Sequence, residues 1–315
     1  MRIVPVLFPC DFATTERGKY KGEGTRGAPD LMLDMLEGEG VRFARPEIVS
    51  VDIPSREEVA EAPLKFDAEI ADAIRNGAEV IADVNAEGNF PVIFGGDQVA
   101  MCAQLLAAGP VQGGVGLAVL ADAHLDLATP GEPAFDDADA LKDASRTWDG
   151  DVDRMVLSAA LRMFPETSAI AAAMKNTGLN AKQCSVLGVR GPECAQVQAN
   201  EKAADIEVWR MERLELDGES SYRSMLSRHL EMGPIALSID ASGLDPHLMA
   251  AVERSVPDGI DWSFLKRSLE QCVRHVDRLL GLDICGLNPA LDNVNHSSMQ
   301  RLIETIAPFL RRVTR

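Results

Sequence analysis

The chain has 315 residues, of which 46% are hydrophobic and 25% charged, and its formal net charge is −18. This length suffices for one large α/β domain with an ample core. The negative charge argues against binding to nucleic acid or to an anionic membrane, because both require patches of lysine and arginine. It is compatible with a cationic substrate, and equally with an acidic surface that only keeps the protein in solution.

The sequence shows no pattern typical of export or of a membrane anchor. It starts with the strand-like run MRIVPVLFPC, without the charged, apolar and cleavage regions of a signal peptide. No apolar stretch approaches the roughly 20 residues that span a bilayer. The six cysteines are scattered without CxxC pairs, which indicates reduced thiols in the core. We therefore expect a soluble, cytoplasmic protein.

Apolar runs typical of strands alternate with helical patterns along the chain. The predicted strands are Ile3–Phe8, Glu47–Val51, Pro91–Phe94, Gly116–Leu120, Ser185–Val189, Ile206–Trp209, Ile235–Ile239 and Arg278–Ile284. The predicted helices are Ala28–Glu37, Phe66–Glu87, Gln98–Ala108, Val152–Met163, Ala195–Ala204, Glu219–Glu231, Asp261–Arg274 and Ser297–Arg311. Helical crossovers imply parallel strands, because a parallel pair needs a long connection. We predict a single three-layer α/β domain over residues 1–315, with about eight mostly parallel strands and helices on both faces.

One acidic segment, Thr129–Asp153, is predicted to be a long loop. Ligand sites in open parallel sheets lie outside the carboxyl ends of the strands. Because this segment closely follows a predicted strand that ends in polar groups, it is expected to overhang any site there, as a lid or specificity element. A solvated loop without a role fits the same composition.

The most informative residues are Asp122, His124 and Asp126, which end the apolar run GLAVLADAHLD. Alternate residues of a strand lie on one face, so the three side chains can converge on one point, either in extended geometry or by turning off the strand end together. Two carboxylates and an imidazole suit a catalytic or labile divalent metal better than a structural zinc, which prefers thiolates. Alternatively, the two aspartates cap the next helix and His124 is a core histidine.

Three other predicted strands also end in polar groups. They run into Gly95–Gln98, Asp240–Pro246 and Cys285–Pro289. Acidic groups at neighbouring strand ends would repel one another unless a cation neutralised them or one took up a proton. A metal ion is the simpler hypothesis.

Cysteine and the other histidines offer weaker candidates. Cys285 stands at a strand end, where it can act as a nucleophile with His124 or His296, although a buried, inert thiol is the more common role. Surface positions are expected for the remaining histidines, His229, His247 and His275.

The segments GGDQ, DAHLD and SIDASGLDP, in this order and with these spacings, resemble the ureohydrolase family, which includes arginases, agmatinases and formiminoglutamases. The early run KGEGTRGAPDLML resembles the family's glycine-rich segment before its first helix. The resemblance extends over nearly the whole chain. It implies an arginase/deacetylase-like fold and the hydrolysis of a guanidino, amidino or formimino C–N bond by a metal-activated water.

In that family two metal ions share a bridging water. The resemblance implies that Asp122, Asp126 and Asp240 are ligands of the first metal. It implies that Asp122, His124 and Asp240 are ligands of the second, so that Asp122 and Asp240 would bridge the two ions. His124 and Asp126 are also the candidate catalytic residues.

Three positions depart from the family pattern. Gln98 stands where the family has a histidine and Ser242 where it has an aspartate, so both are candidate but weak metal ligands. Gly286 replaces a glutamate of the family's late segment, which removes an anionic partner for a substrate guanidinium. Arg190 and Glu193 resemble the family's GxR segment, and Glu193 is a candidate substrate-binding residue.

Three functions remain open at this stage. The first is a metal-dependent hydrolase with an altered site, since three ligands and an open position suffice for a catalytic ion. The second is a non-catalytic relative that acts as a structural or regulatory subunit, and the third is a relative that binds a small ligand without chemistry. By resemblance, the metal is expected to be Mn²⁺ with one ion or none as alternatives, the substrate small and cationic or amidine-type, and the protein a homo-oligomer.

Overall fold

The architecture is that of a parallel sheet between two layers of helices. A computed structural model of the chain describes residues 1–11, 24–52, 64–131, 151–191 and 193–314. Within these residues the strands are β1 (Ile3–Phe8), β2 (Glu47–Ile48), β3 (Phe90–Gly95), β4 (Val115–Val119), β5 (Leu179–Val189), β6 (Glu207–Arg210), β7 (Ile235–Asp240) and β8 (Leu279–Cys285). They form one sheet in the order β2-β1-β3-β8-β7-β4-β5-β6, and all neighbours are parallel.

Helices cover both faces of this sheet. Those described are α1 (Ala28–Gly38), α2 (Asp67–Ala86), α3 (Val99–Ala108), α4 (Val156–Ala160), α5 (Ala169–Met174), α6 (Ala195–Ala204), α7 (Met211–Met232), α8 (Trp262–Cys272) and α9 (Ser297–Val313). One hydrophobic core lies between the sheet and α1, α7, α8 and α9. The other lies between the sheet and α2 to α6. The predicted fold class, with eight parallel strands and three layers, is confirmed.

The differences from the predicted elements are local. The helix predicted at Val152–Met163 is a short 3-10 turn followed by α4, and α7 begins eight residues earlier than predicted, with a break at Gly218 (φ 79°). Helix α5 was not predicted, because six residues are too few for a helical period to be recognised. Asp67 holds its start by accepting hydrogen bonds from Ser168 and from two backbone amides. Of the loop predicted at Thr129–Asp153, residues 132–150 lie outside the described part, so its role as a lid stays a prediction.

Two expectations about burial have different outcomes. All six cysteines are buried free thiols, as predicted. The surface position expected for His229 is wrong, since it is 4% exposed on the inner side of α7, where its own carbonyl accepts a hydrogen bond from Gln183.

Among the described residues, no helix is both long and apolar enough to cross a membrane.

The sheet order explains how distant segments meet. Strands β3, β8, β7 and β4 are consecutive in the sheet and end at the same edge because they are parallel. The polar segments that follow them therefore come together there, although they are separated by up to about 190 residues of sequence.

Candidate metal centre

The segment after β4 forms a tight turn and does not continue as a strand. Asp126 has a φ of 49°, a left-handed conformation that reverses the chain. The Oδ1 of Asp122 accepts a hydrogen bond of 2.8 Å from the backbone N–H of His124, which closes the turn. Of the two geometries open to these residues, the turn off the strand end is therefore the one that occurs.

Gln98 and Ser242, which stand where the family has metal ligands, both form hydrogen bonds to Asp122. Gln98 donates from its Nε2 to the Oδ2 of Asp122 at 2.8 Å, and Ser242 donates from its Oγ to Oδ1 at 3.3 Å. The Oε1 of Gln98 is buried without a hydrogen-bond partner. A buried acceptor without a partner is costly, so this oxygen is suited to receive a cation or a water.

The second acidic group, Asp240, is held by the turn that follows β7 and by the end of β8. Its Oδ1 accepts a hydrogen bond of 2.7 Å from the backbone N–H of Ser242, and Cys285 donates from Sγ to Oδ2 at 3.6 Å. Burial, followed by the nearby carboxylates, raises the pKa of Cys285 well above its ordinary value. The residue is thus a protonated thiol, which supports the inert role over the nucleophilic one.

Gly286 leaves no room for the glutamate that the family carries at this position. Its φ is 76°, and a Cβ placed on it would lie 2.7 Å from Oδ1 and 2.8 Å from Oδ2 of Asp240. A side chain at residue 286 would therefore require both a strained backbone and a displaced Asp240.

The charges of the centre repel one another. Burial, and after it the charge of Asp240, raises the pKa of Asp122 from 3.8 to about 8. Burial is also the main cause that raises the pKa values of Asp126 and Asp240. His124 is shifted in the opposite sense, because burial and then the positive charge of Arg254 lower its pKa well below 6.5. Its imidazole is thus neutral, the form that binds metal.

These side chains surround a small pocket of about 30 Å³ at the carboxyl ends of the strands. The described residues that line it are Thr25, Gly96, Asp97, Asp122, His124, Asp126, Asp153, Asp240, Ser242, Val252, Glu253, Arg254 and Gly286. The structure thus brings the four strong predicted ligands to one place. Asp153, Glu253 and Arg254 were not predicted, because they lie in segments without a recognisable motif, and Asp97 stands in the GGDQ motif but was not predicted as a site residue.

The donor set fits a divalent metal in its chemistry but not in its present spacing. Three carboxylates, a neutral imidazole and the partnerless amide oxygen of Gln98 are ligands of the type that Mn²⁺ and Zn²⁺ take. Within the described part of the chain, however, no three His, Cys, Asp or Glu side chains stand close enough to hold an ion without moving. Four strong donors remain in the set, whereas Gln98 and Ser242 offer only weak ligand atoms.

Glu193 lies behind the turn and is not among the described residues that line the pocket. Burial raises its pKa, and the backbone N–H of Leu125 and the charge of Arg154 act against this shift. The contact with Leu125 supports the turn between His124 and Asp126. A role of Glu193 in binding substrate stays a prediction.

Arg190 joins the loops that carry the pocket. Its guanidinium donates only to backbone carbonyls in the bonds described, and these belong to Gly188, Ser242, Gly243, Leu244, Val256 and Pro257. It thereby ties the end of β5 to the turn after β7 and to the loop that bears Arg254.

We expect Arg190→Met to lower the free energy of unfolding by about 2 to 4 kcal/mol, because the buried carbonyls lose a charged donor. Arg190→Lys should recover little of this loss, since an ammonium cannot span the same fork. Urea unfolding measures the effect. The control is Arg301→Met, which removes an exposed pair with Glu304 and should cost less than about 0.5 kcal/mol. Equal costs in Arg190→Met and Arg301→Met would contradict the assignment.

The chain is similar to proteins of one family over almost its whole length. The sequence model of the Arginase family matches residues 2–307. An arginase of Brevibacillus brevis is 24% identical over 302 residues, which cover 94% of this chain and 92% of the relative.

Solved structures of the same family share the fold. Arginase from Bacillus caldovelox superimposes with a TM-score of 0.79 at 18% identity, and arginase from Bacillus cereus with 0.78 at 17%. An arginase of Entamoeba histolytica in complex with L-ornithine gives a TM-score of 0.78 at 17% identity. In each of these comparisons 98% of both chains is covered.

Proposed function

Because this chain belongs to the arginase family, we propose that it is a metal-dependent hydrolase of a guanidino, amidino or formimino C–N bond that works with a single divalent ion. The observation that carries the proposal is the convergence of Asp122, His124, Asp126 and Asp240 on one small pocket. Carboxylates that repel one another in this way gain most from a cation. Mn²⁺ is the ion that the family favours.

The residues of the pocket would have different roles in the reaction. Asp122, His124 and Asp240 would hold the ion, which supplies a water of lowered pKa when bound. Asp126 lines the pocket beside these residues, so its carboxylate would be placed to accept a proton from that water and to return it to the leaving nitrogen. Asp97 and Glu253 give the pocket the negative charge that a cationic or amidine-type substrate requires.

Metal analysis of protein purified without chelator tests the proposal. We expect close to one Mn²⁺ per chain, and its loss in Asp122→Ala and Asp240→Ala, because each variant removes a strong ligand. Asp72→Ala removes the same charge from an exposed position of α2 and should keep the metal. Absence of metal from the unaltered protein after loading with Mn²⁺, Ni²⁺ or Zn²⁺ would contradict the proposal.

The substrate can be sought once metal binding is established. Release of urea from arginine, agmatine and guanidinobutyrate, or of formamide or ammonia from formiminoglutamate, separates the guanidino from the formimino substrates. Activity that disappears in Asp126→Asn, while the metal is retained, would support the role of Asp126 as proton carrier.

A second candidate function is that of a non-catalytic relative, which acts as a structural or regulatory subunit. It is favoured by the hydrogen bonds with which Gln98 and Ser242 occupy Asp122, and by the spacing of the ligands. This candidate predicts that the protein stays free of metal and inert toward all four substrates. The homo-oligomeric state and the cytoplasmic location belong to the proposal as expectations from the family, and light scattering after gel filtration tests the former.

A further inference from the structure

The pocket contains a positive charge of its own. Six of the described residues that line it are acidic, namely Asp97, Asp122, Asp126, Asp153, Asp240 and Glu253. The same described lining includes one arginine, Arg254. The guanidinium of Arg254 forms a close ion pair with the carboxylate of Asp153, and both side chains are almost fully buried, at 12% and 11% exposure. A charge in such a place is screened weakly by solvent and acts on its neighbours.

The backbone near Arg254 and near Asp153 is held in place by contacts of neighbouring residues. Two residues after Arg254, the carbonyl of Val256 accepts a hydrogen bond of 2.7 Å from Arg190. Two residues before Asp153, the carboxylate of Asp151 forms a buried ion pair of 2.7 Å with Lys65. The guanidinium is therefore held at the pocket and is not a mobile surface group.

The position of Arg254 affects the same groups that a metal ion would affect. Arg254 lines the same pocket as Asp122, His124 and Asp126, so its positive charge acts directly on these ligands. A bound divalent cation would act on these groups with the same sign.

We propose that Arg254, fixed by Asp153, is an internal cation of the centre that replaces part of the positive charge of a metal and limits the pocket to one divalent ion. This inference rests on the proposed one-ion site. It also accounts for a pocket that tolerates Ser242, since a fixed cation makes a further carboxylate unnecessary for charge balance.

Binding of Mn²⁺ alone, followed by equilibrium dialysis and calorimetry, tests the proposal without any activity measurement. We expect Arg254→Met, which keeps the length of the side chain, to bind Mn²⁺ at least about tenfold more tightly or to take up a second equivalent. Arg254→Lys keeps the charge and should bind like the unaltered protein. Asp153→Asn keeps the guanidinium but removes its counter-charge, so it should bind Mn²⁺ more weakly.

The opposite signs of Arg254→Met and Asp153→Asn separate a role in charge from a role in folding. If the pair only supported the fold, both variants would lose metal together, and this would overturn the inference. If the unaltered protein and Arg254→Met each bound one ion with equal affinity, the inference would be wrong and the proposed function would stand. Binding to Arg254→Met alone, or to neither protein, would overturn both, because the inference requires that the unaltered pocket takes up one ion.

Discussion

The double variant Gln98→His, Ser242→Asp is expected to bind Mn²⁺ at least about tenfold more tightly than the unaltered protein, because each change replaces a weak ligand by a strong one. Both side chains already contact Asp122, at 2.8 Å and 3.3 Å, so the new ligands would arise next to the central carboxylate. With Arg254 in place, the gain should be in affinity. A second ion should require Arg254→Met in addition. Calorimetric titration with Mn²⁺ provides the measurement.

Gln98→Leu is the matched control for this experiment. It removes the hydrogen bond to Asp122 but offers no ligand atom. If Gln98→Leu raised the affinity as much as Gln98→His, the gain would come from the release of Asp122, and the assignment of residue 98 as a ligand position would be wrong.

The metal-free protein is expected to lose stability as the pH rises from about 4 to about 8. The pKa of Asp122 is about 8 in the folded protein and 3.8 in the reference state, so over this range the folded chain holds a proton that the unfolded chain has released. Stability from this group is complete below the lower value and is lost as the pH rises toward the higher one. One such group contributes a slope of at most about 1.4 kcal/mol per pH unit. Urea unfolding in the presence of a chelator measures this slope.

Asp122→Asn should flatten this dependence, because the amide has no proton to release. The hydrogen bond to Gln98 can survive the change, since the Oε1 of Gln98 has no partner and can accept from the new amide after a flip. Asp72→Asn, at an exposed site, should keep the slope of the unaltered protein. Saturating Mn²⁺ should restore stability at about pH 8, since a cation that binds the folded chain takes the place of the proton. A slope of the same size in Asp122→Asn would rule out Asp122 as its source.

The fold followed from local patterns. Apolar runs separated by helical segments imply crossovers, and crossovers imply parallel strands, so the layers could be predicted without knowledge of any contact. The same topology predicted that Asp122 and Asp240 would meet, because the carboxyl ends of parallel strands share one edge. These predictions depend on period and on chain connectivity, which are properties of the sequence itself.

The state of the pocket depended on contacts between segments far apart in the chain. Arg254 and Asp153 are separated by about 100 residues. Arg254 lies in no pattern that marks a site, and Asp153 is the last residue of the predicted loop Thr129–Asp153, where no site residue was predicted. The hydrogen bond from Gln98 to Asp122 depends on the rotamers of both side chains. Asp240 can lie next to Gly286 because residue 286 has no side chain and a backbone φ of 76°. The sequence alone thus determined the sheet and the edge at which the ligands gather. Only the tertiary structure decided the charge balance there, because an ion pair between distant residues exists only after the chain has folded around it.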